Sequence, residues 1–551
     1  MTGHSGNGAV KITGTATITK YSIPVIKGLK NLTVLVSEPK SLTEGITYEC
    51  ENGGNSCTYI GPDVTNTSSL SLGTHTVTYK IRSASNALYL YQITVRVVNE
   101  YPANAPALTD ALIPVTYNES TSKWVKADSS NSNNSWYDYS NKIWANAVLV
   151  SSTNRSTYKS ASAGTTIADA DILAFYVWIP RYKYKVWNIN KVIGTQSYNA
   201  QTTGIDIVFE AGTSSTGTIS CTYSYAAPSS TAGSPNETCT GSNGDYYTHP
   251  AFTFGNQELT GFWMGKFELS SETPDDNYGG SNYGGHISTT LTPRILPNVN
   301  SWRYNPVSNF WKVIYDMQTS NNIYGLPTSR TNADSHMLTN MEWGAVAYLT
   351  NSKYGRCTNG SCTEVSINGY GETKNDTTMT GCGPISSGST SYGKTCNAYN
   401  TTLGKTASTT GNIYGVYDMV GGASEYVMGN VSDSGSTLYP YKYYEGHAGT
   451  NFTYSTNTEK YLTTYAWGST NSDQTAYNRA RLGDATGEVV LSDGGSSGWY
   501  NDYAHFPFSN YAWFNRGNIF ASPQSGAFEF RYFDGGEHTQ YSTRAALIVS
   551  N

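Results

Sequence analysis

The eight cysteines of this 551-residue chain fall into four pairs of near neighbours, which limits how the chain can be cross-linked. The pairs are Cys50/Cys57, Cys221/Cys239, Cys357/Cys362 and Cys382/Cys396. An even number in local pairs indicates disulfides that staple single loops in an oxidising compartment. Between Cys357 and Cys396 a crossed pairing is also open. A zinc site is disfavoured, because the chain has no Cys-x-x-Cys and its histidines are few and scattered.

The composition favours an extracellular, strand- and loop-rich protein over a cytosolic enzyme. Charged residues make up 13% of the chain and aromatic residues another 13%, with 45 Tyr and 54 Gly. The net charge of -6 argues against a nucleic-acid partner, because phosphate binding needs clustered Lys and Arg. The strongest basic run, Arg181 to Lys185, is predicted to form the exposed face of a strand. No apolar run is long enough to cross a membrane, so membrane insertion is not expected.

The first hundred residues predict a small domain and a linker. Residues 1–12 resemble the tail of a Gly-rich segment, and we expect the chain to be a fragment of a longer protein. Residues 13–99 contain alternating apolar runs and turn signals, which predict an all-β domain. The longest run, Leu88 to Val98, resembles the last strand of bacterial immunoglobulin-like modules and implies an Ig-like β-sandwich. Residues 100–107 hold two prolines and predict a stiff, extended linker.

Residues 108–551 predict a mainly β unit with a few helices. Strand signals rich in aromatic and β-branched residues include the segment from Ile172 to Asn188. Apolar residues between Pro306 and Met317 recur at helical spacing, which predicts an amphipathic helix with a buried stripe. A second helix is predicted to begin at Thr339, because Thr339 and Glu342 have the spacing of a capping box.

A motif at Asn412 to Val427 is the most specific feature of this unit. Its informative residues are Asn412, Tyr414, Gly415, Tyr417, Asp418, Met419, Gly421 and Glu425. Further segments with recognisable patterns are Gly261 to Ser271, Leu326-Pro327-Thr328 with Glu342-Trp343, Arg479 to Ala485, and Thr543-Arg544-Ala545. Together they resemble the formylglycine-generating-enzyme branch of the C-type-lectin fold. The resemblance implies a large, loop-rich C-type-lectin domain over residues 108–551. Gly422 replaces an Asn of the family pattern, so a structural calcium ion is not supported, and no metal or other cofactor is expected.

Residues 499–548 interleave two kinds of position. One kind is typical of a scaffold: Trp513, Arg516, Gly517, Gly526, Phe528, Phe530, Gly535 and Arg544. The other kind is a scatter of Tyr, Asn, Asp, Ser, His, Phe, Ile and Arg without periodicity. Between Tyr500 and Tyr541 there is no Lys or Met, and most residues belong to the set encoded by N-N-pyrimidine codons. This composition is expected when the adenines of Asn codons are randomised.

The pattern resembles the variable region of proteins diversified by a diversity-generating retroelement, which display a randomised patch on a C-type-lectin fold. The resemblance implies a ligand-binding protein on a phage tail or a bacterial cell surface, with a protein or glycan ligand on a target cell. Aromatic side chains would anchor the ligand and small polar ones would adapt to it. The candidate ligand-binding residues are Tyr503, His505, Phe508, Asn510, Tyr511, Asn518, Ile519, Phe520, Glu529, Arg531, Tyr532, Phe533, Asp534 and His538.

Other function classes are disfavoured by the sequence. Formylglycine formation requires two cysteines near the C-terminal sheet, and no cysteine follows Cys396. Hydrolysis by paired carboxylates could use Asp502, Asp534 and Glu537, but no spacing sets a distance between them. We therefore expect no enzyme. A structural surface or virion protein without a ligand is the alternative, although it leaves the Tyr- and Asn-rich terminus unexplained.

Overall fold

A computed structural model describes residues 23–99, 101–193, 200–223, 237–274, 287–370, 378–386, 389, 393, 395–432, 459–466, 477–493, 495–508, 511–518 and 524–550. Over these residues the protein is mainly β with a few helices, as predicted. The chain divides into two compact units, Met1–Pro102 and Ala103–Asn551. The Gly-rich segment predicted at residues 1–12 lies outside the described residues.

The first unit is built on a hairpin of two long strands. Its described strands are β1 (Val25–Lys27), β2 (Leu32–Leu35), β3 (Thr47–Glu49), β4 (Thr58–Pro62), β5 (Gly73–Arg82) and β6 (Leu88–Val98). The main sheet has the order β2-β6-β5-β4, and β1 pairs with β3. Strands β5 and β6 are antiparallel, while β2 runs parallel to β6. Alternate apolar residues of the hairpin form the core: Val77, Tyr79, Ile81, Ile93, Val95 and Val97.

The second unit contains many short strands and five described α-helices. The strands are β7 (Leu112–Asn118), β8 (Lys123–Lys126), β9 (Asn146–Val150), β10 (Ile172–Pro180), β11 (Tyr182–Lys185), β12 (Ile207–Phe209), β13 (Ser220–Tyr223), β14 (Glu237–Thr240), β15 (Tyr246–Thr248), β16 (Thr253–Phe254), β17 (Gln257–Glu258), β18 (Gly261–Gly265), β19 (Ser270–Ser271), β20 (Pro293–Arg294), β21 (Ala333–Met337), β22 (Cys357–Thr358), β23 (Ser361–Cys362), β24 (Ser424–Ser432), β25 (Thr463–Ala466), β26 (Trp513–Arg516), β27 (Phe530–Phe533), β28 (Tyr541–Thr543) and β29 (Ala545–Val549). The helices are α1 (Ser152–Ser160), α2 (Ala200–Thr203), α3 (Val307–Tyr315), α4 (Asn340–Thr350) and α5 (Thr402–Lys405).

The largest sheet has seven strands in the order β21-β29-β18-β10-β9-β7-β8. Its central strand β10 is buried at every residue, which agrees with its continuous apolar sequence. The closing strand β29 lies between β18 and β21 and is also fully buried. The C-terminal end of the described chain is therefore part of the core.

The prediction that Arg181 to Lys185 forms the exposed face of a strand is wrong. The predicted long strand stops at Pro180, and Arg181 is fully buried before β11 begins. Its guanidinium lies 3.0 Å from Glu210 and 2.7 Å from Glu258, and it also donates to two main-chain carbonyls. Tyr182 and Tyr184 are buried as well. Paired carboxylates and carbonyls compensate the buried charge, so the basic run can lie inside.

Both helices predicted from apolar spacing and capping are present. Helix α3 runs from Val307 to Tyr315, and Val307, Phe310 and Ile314 form its buried stripe. Helix α4 begins after Thr339, whose hydroxyl accepts from the Glu342 amide at 3.1 Å. The Glu342 carboxylate accepts in return from the Thr339 amide at 2.8 Å. The capping box is therefore formed on both sides.

All eight cysteines form the four local disulfides, Cys50–Cys57, Cys221–Cys239, Cys357–Cys362 and Cys382–Cys396. The crossed pairing that the sequence left open does not occur. Four disulfides are typical of a secreted or extracellular protein. Among the described helices, none combines the length and the apolar character that crossing a membrane requires.

We expect the capping box to contribute measurably to stability. Thr339→Val keeps the side-chain volume but removes the hydroxyl acceptor, and should lower the free energy of unfolding by about 1–2 kcal/mol. Thr339→Ser keeps the acceptor and serves as the matched control with a smaller loss. Chemical denaturation of both variants checks this. Equal losses of stability in the two variants would show that the methyl group of Thr339, and not its capping hydroxyl, is responsible.

Candidate ligand-binding site

The predicted variable stretch is carried by a second sheet. Its strands have the order β25-β24-β26-β27, and β28 pairs with the other end of β24. Strands β26 and β27 are antiparallel, with Trp513 opposite Phe533 and Arg516 opposite Phe530. Strand β24 begins inside the motif that runs from Asn412 to Val427. The stretch is thus attached to the most specific motif of the sequence by main-chain hydrogen bonds.

Arg544 joins this sheet to the seven-stranded one. Its guanidinium is fully buried and contacts both carboxylate oxygens of Glu425 on β24, at 2.5 and 3.0 Å. It also donates to the carbonyls of Gly265, at the end of β18, and Tyr417, both at 2.9 Å. All of these groups belong to motif segments. The motif residues therefore have a structural role here.

The positions that the sequence predicted as scaffold are all buried. Arg516 donates to the carbonyls of Asp484 and Ala485. Gly526 lies against the Asp502 carboxylate, where an added Cβ would come within 2.0 Å of both oxygens. The buried scaffold positions are Trp513, Arg516, Gly517, Gly526, Phe528, Phe530, Gly535 and Arg544. The positions that are typical of a scaffold in the sequence are thus buried positions of this stretch in the structure.

Eight of the candidate residues come together as one partly exposed surface, here called the aromatic patch. The patch consists of Tyr503, His505, Phe508, Tyr511, Arg531, Tyr532, Phe533 and His538. Tyr511 is the most exposed member, at 37%. Each of the others is half-buried, so each keeps part of its surface in solvent.

The rings of the patch touch one another in a continuous series. His505 lies between Tyr503, at 5.6 Å between ring centroids, and Tyr532, at 5.8 Å. Tyr532 then contacts Phe508 at 4.9 Å and Tyr511 at 5.5 Å. The series continues through Phe533 to His538, whose ring is 5.2 Å from that of Phe533. Such packing limits side-chain motion, which lowers the entropy cost of binding.

Main-chain hydrogen bonds fix the segment that carries Tyr503 and His505. The amide of His505 donates to the carbonyl of Phe530 at 2.9 Å, and the amide of Phe530 donates to the carbonyl of Tyr503 at 3.0 Å. Ala504, between them, is buried and donates to the carbonyl of Gly495 at 2.9 Å. The segment therefore lies beside the start of β27, with a single parallel bridge between Ala504 and Phe530.

Arg531 provides the permanent positive charge of the patch. Its guanidinium carbon lies 3.7 Å from the ring centroid of Tyr503. Its Nε lies 3.2 Å from a carboxylate oxygen of Glu529, which is fully buried. Burial raises the pKa of Glu529 to about 7, although Arg531 and Arg516 oppose this shift. Burial also lowers the pKa of His538.

Two candidate residues are not on the surface, and their prediction as ligand contacts is wrong. Asn518 is 2% exposed and Glu529 is 0% exposed. The stretch has no periodicity that would separate inward from outward positions, so polar character alone suggested a surface location. Asp534 is half-buried and its carboxylate accepts from the amide of Gly536 at 2.9 Å. Asn510, Ile519 and Phe520 lie outside the described residues.

Residues beneath the patch were missed by the sequence analysis. Phe533 packs on Tyr541, at 4.6 Å between ring centroids, and on Tyr426 of β24, at 6.4 Å. The position of Tyr426 inside the motif was the available signal. Burial is the main cause of the raised pKa of both Asp502 and Glu364, and the two buried carboxyl groups lie close enough to influence each other. No local pattern could have paired these two carboxyl groups.

Of the three carboxylates considered for hydrolysis, Asp534 and Glu537 are half-buried. Asp502 is fully buried, and its carboxylate accepts from the amide of Phe528 at 3.2 Å. Within the described ranges, one group of residues has metal-ligand spacing: Cys221, Glu237 and Cys239. Both of its sulfurs form a disulfide, so they cannot act as thiolate ligands.

Comparisons with known proteins give little similarity. No family model matches the chain, and no curated protein matches it. One solved structure contains the M60 catalytic domain with the CBM51-1 and CBM51-2 domains from Clostridium perfringens ZmpB; it is 15% identical over 30% of this chain and 15% of that one, with a TM-score of 0.13. Another contains CBM51-2 in complex with GlcNAc and INT domains from the same protein; it is 14% identical over 30% of this chain and 36% of that one, with a TM-score of 0.11. The chain thus spans well under two thirds of either structure, and similarity at this level supports no conclusion.

We expect the members of the patch to differ in their contribution to stability. Phe533→Ala should lower the free energy of unfolding by about 2 kcal/mol, because its ring packs on two largely buried tyrosines. Tyr511→Ala should change it by less than about 0.5 kcal/mol, because the ring is exposed. Thermal and chemical unfolding of the two variants checks this. If Phe533→Ala does not change the free energy of unfolding, the ring of Phe533 belongs to the surface and not to the core.

The raised pKa of Glu529 predicts a pH-dependent stability. Since the folded pKa of about 7 exceeds the ordinary 4.5, folding favours the protonated carboxyl. This stabilisation is complete below the ordinary pKa and is lost as the pH rises through 7, by at most about 1.4 kcal/mol per pH unit. Glu529→Gln should therefore gain stability relative to the parent between pH 5 and pH 8.

Denaturation of both proteins across this pH range is the measurement. Glu537→Gln, in the same stretch but half-buried, is the control for loss of one carboxylate. If the free energies of unfolding of Glu529→Gln and the parent change in parallel with pH, Glu529 does not have a raised pKa.

Proposed function

We propose that the chain is a ligand-binding protein whose aromatic patch recognises a protein or glycan on a target cell surface. The supporting observation is the separation in residues 499–548: the scaffold positions are buried, and eight candidate positions form one contiguous, partly exposed surface. Exposed aromatic residues joined in one surface are typical of binding sites.

The proposal includes diversification of this patch by a retroelement, on a C-type-lectin scaffold that follows an Ig-like domain. The amino-acid composition of residues 500–541 and the motif residues support it. The main chain of three patch positions, Arg531 to Phe533, pairs with buried residues of β26, and this pairing does not use their side chains. We propose a location on a phage tail or on a bacterial surface.

The proposed role is binding and not catalysis. Glu425 and Arg544, which belong to the motif segments, are buried in an ion pair. Asp502 is buried below the surface, whereas Asp534 is half-buried and bonded to its own loop.

Comparison of sister proteins tests the function. Among many clones of the locus, amino-acid differences should concentrate at patch positions such as Tyr503, Tyr511 and Tyr532. Trp513 and Phe530 in the same stretch should stay constant and serve as internal controls. The measurement is deep sequencing of the region that encodes residues 499–548.

Binding is then compared between sisters. Fluorescently labelled proteins that differ only in the patch should bind different members of a panel of bacterial strains, as measured by flow cytometry. Differences spread evenly over buried and exposed positions, or identical strain preferences among sisters, would contradict the proposal.

A further inference from the structure

Arg531 is the one side chain of the aromatic patch with a permanent charge. Three features hold it in place. Its guanidinium carbon lies 3.7 Å from the ring centroid of Tyr503. Its Nε lies 3.2 Å from a carboxylate oxygen of Glu529, within ion-pair distance but without a hydrogen bond. Its main chain pairs with Asn515 in the β26–β27 ladder. A planar cation fixed in this way loses little entropy when it binds a planar anion.

The outer edge of this guanidinium is available to a ligand. Nε is buried, yet the side chain as a whole is 30% exposed. Among the described residues, none accepts a hydrogen bond from either Nη atom of Arg531. The two Nη groups form one edge of the guanidinium, and a carboxylate can accept from both at once.

The carboxylate of Glu529 neutralises the positive charge of Arg531 only in part. The carboxylate of Glu529 is fully buried, and burial raises its pKa to about 7. A fraction of the molecules near neutral pH therefore carries Glu529 in its neutral form. The nearby Arg516 adds a second positive charge below the surface. The outer edge of Arg531 thus remains attractive to an anion.

The side chains around Arg531 favour a ligand that carries a ring next to its anionic group. Tyr503, His505 and Tyr532 contact one another in series next to the guanidinium, and each is half-buried. Aromatic faces of this kind pack against the C–H face of a sugar ring. They also exclude water, which strengthens a charge-assisted hydrogen bond.

We infer that this patch binds an acidic sugar, with the sugar carboxylate across the two Nη groups of Arg531 and the sugar ring on the neighbouring aromatic side chains. The inference rests on the proposed ligand-binding function and specifies the class of ligand for this sequence. A sister protein that has another residue in place of Arg531 is expected to show no preference for acidic sugars.

Saturation-transfer NMR with the full chain tests the inference, with glucuronate as the probe and glucose as its neutral counterpart. Glucuronate should bind at least tenfold more tightly than glucose. Arg531→Gln should weaken glucuronate binding at least tenfold, and Arg531→Lys should recover only part of it, because an ammonium group lacks the planar edge. Arg96→Gln, an exposed arginine of the first unit, is the matched control and should leave binding unchanged.

Several results would overturn the inference. These are equal binding of glucose and glucuronate, full binding by a folded Arg531→Gln variant, and binding of benzoate without binding of glucuronate. Thermal unfolding confirms that each variant is folded. If sister proteins still select different cells through the patch while glucuronate binding does not depend on Arg531, this inference fails and the proposed function stands. If sisters do not differ at the patch, the proposed function itself fails.

Discussion

The buried contact between Arg544 and Glu425 is the interaction on which the second unit depends. It connects β24 of one sheet with the start of β29 in the other, and its remaining donors satisfy carbonyls of β18 and of the motif loop. Removing one partner of such a pair leaves a buried charge, at a cost of about 3–5 kcal/mol. The pair thus constrains where β24, and with it β26 and β27, can lie.

A fixed frame of this kind allows a neighbouring surface to vary. Inward positions of residues 499–548 pack on the frame, as Gly526 does on Asp502 and Gly535 does on Trp513. Tyr511 and Tyr532 pack on each other at the surface, whereas Phe533 and His538 also pack on the buried Tyr541. A change at Tyr532 therefore alters ring contacts within the patch, whereas a change at Gly526 would displace buried groups. The two kinds of position obey different physical limits, although they alternate in one short stretch.

The sequence predicted those parts of the structure that depend on local pattern. The capping box at Thr339, the stripe of α3, the disulfide pairs and the buried scaffold positions all follow from spacing or from motif residues. The failures share a different cause. Arg181, Asn518 and Glu529 are polar but buried, and the partners of Arg181 are distant in sequence. A polar residue in a segment without periodicity carries no local signal of the side it faces. The contact between Phe533 and Tyr426 was missed because the two residues lie far apart in the sequence.

The segment from Tyr503 to His505 is joined to Phe530 and Gly495 by main-chain hydrogen bonds. These hydrogen bonds use no side-chain atom of the segment, so they do not depend on which side chains it carries. Antibody loops change shape when their sequences change, and part of their affinity is gained by stiffening a mobile loop. If the patch is diversified as proposed, new versions of it would keep these main-chain hydrogen bonds, and with them a preorganisation that an antibody acquires late.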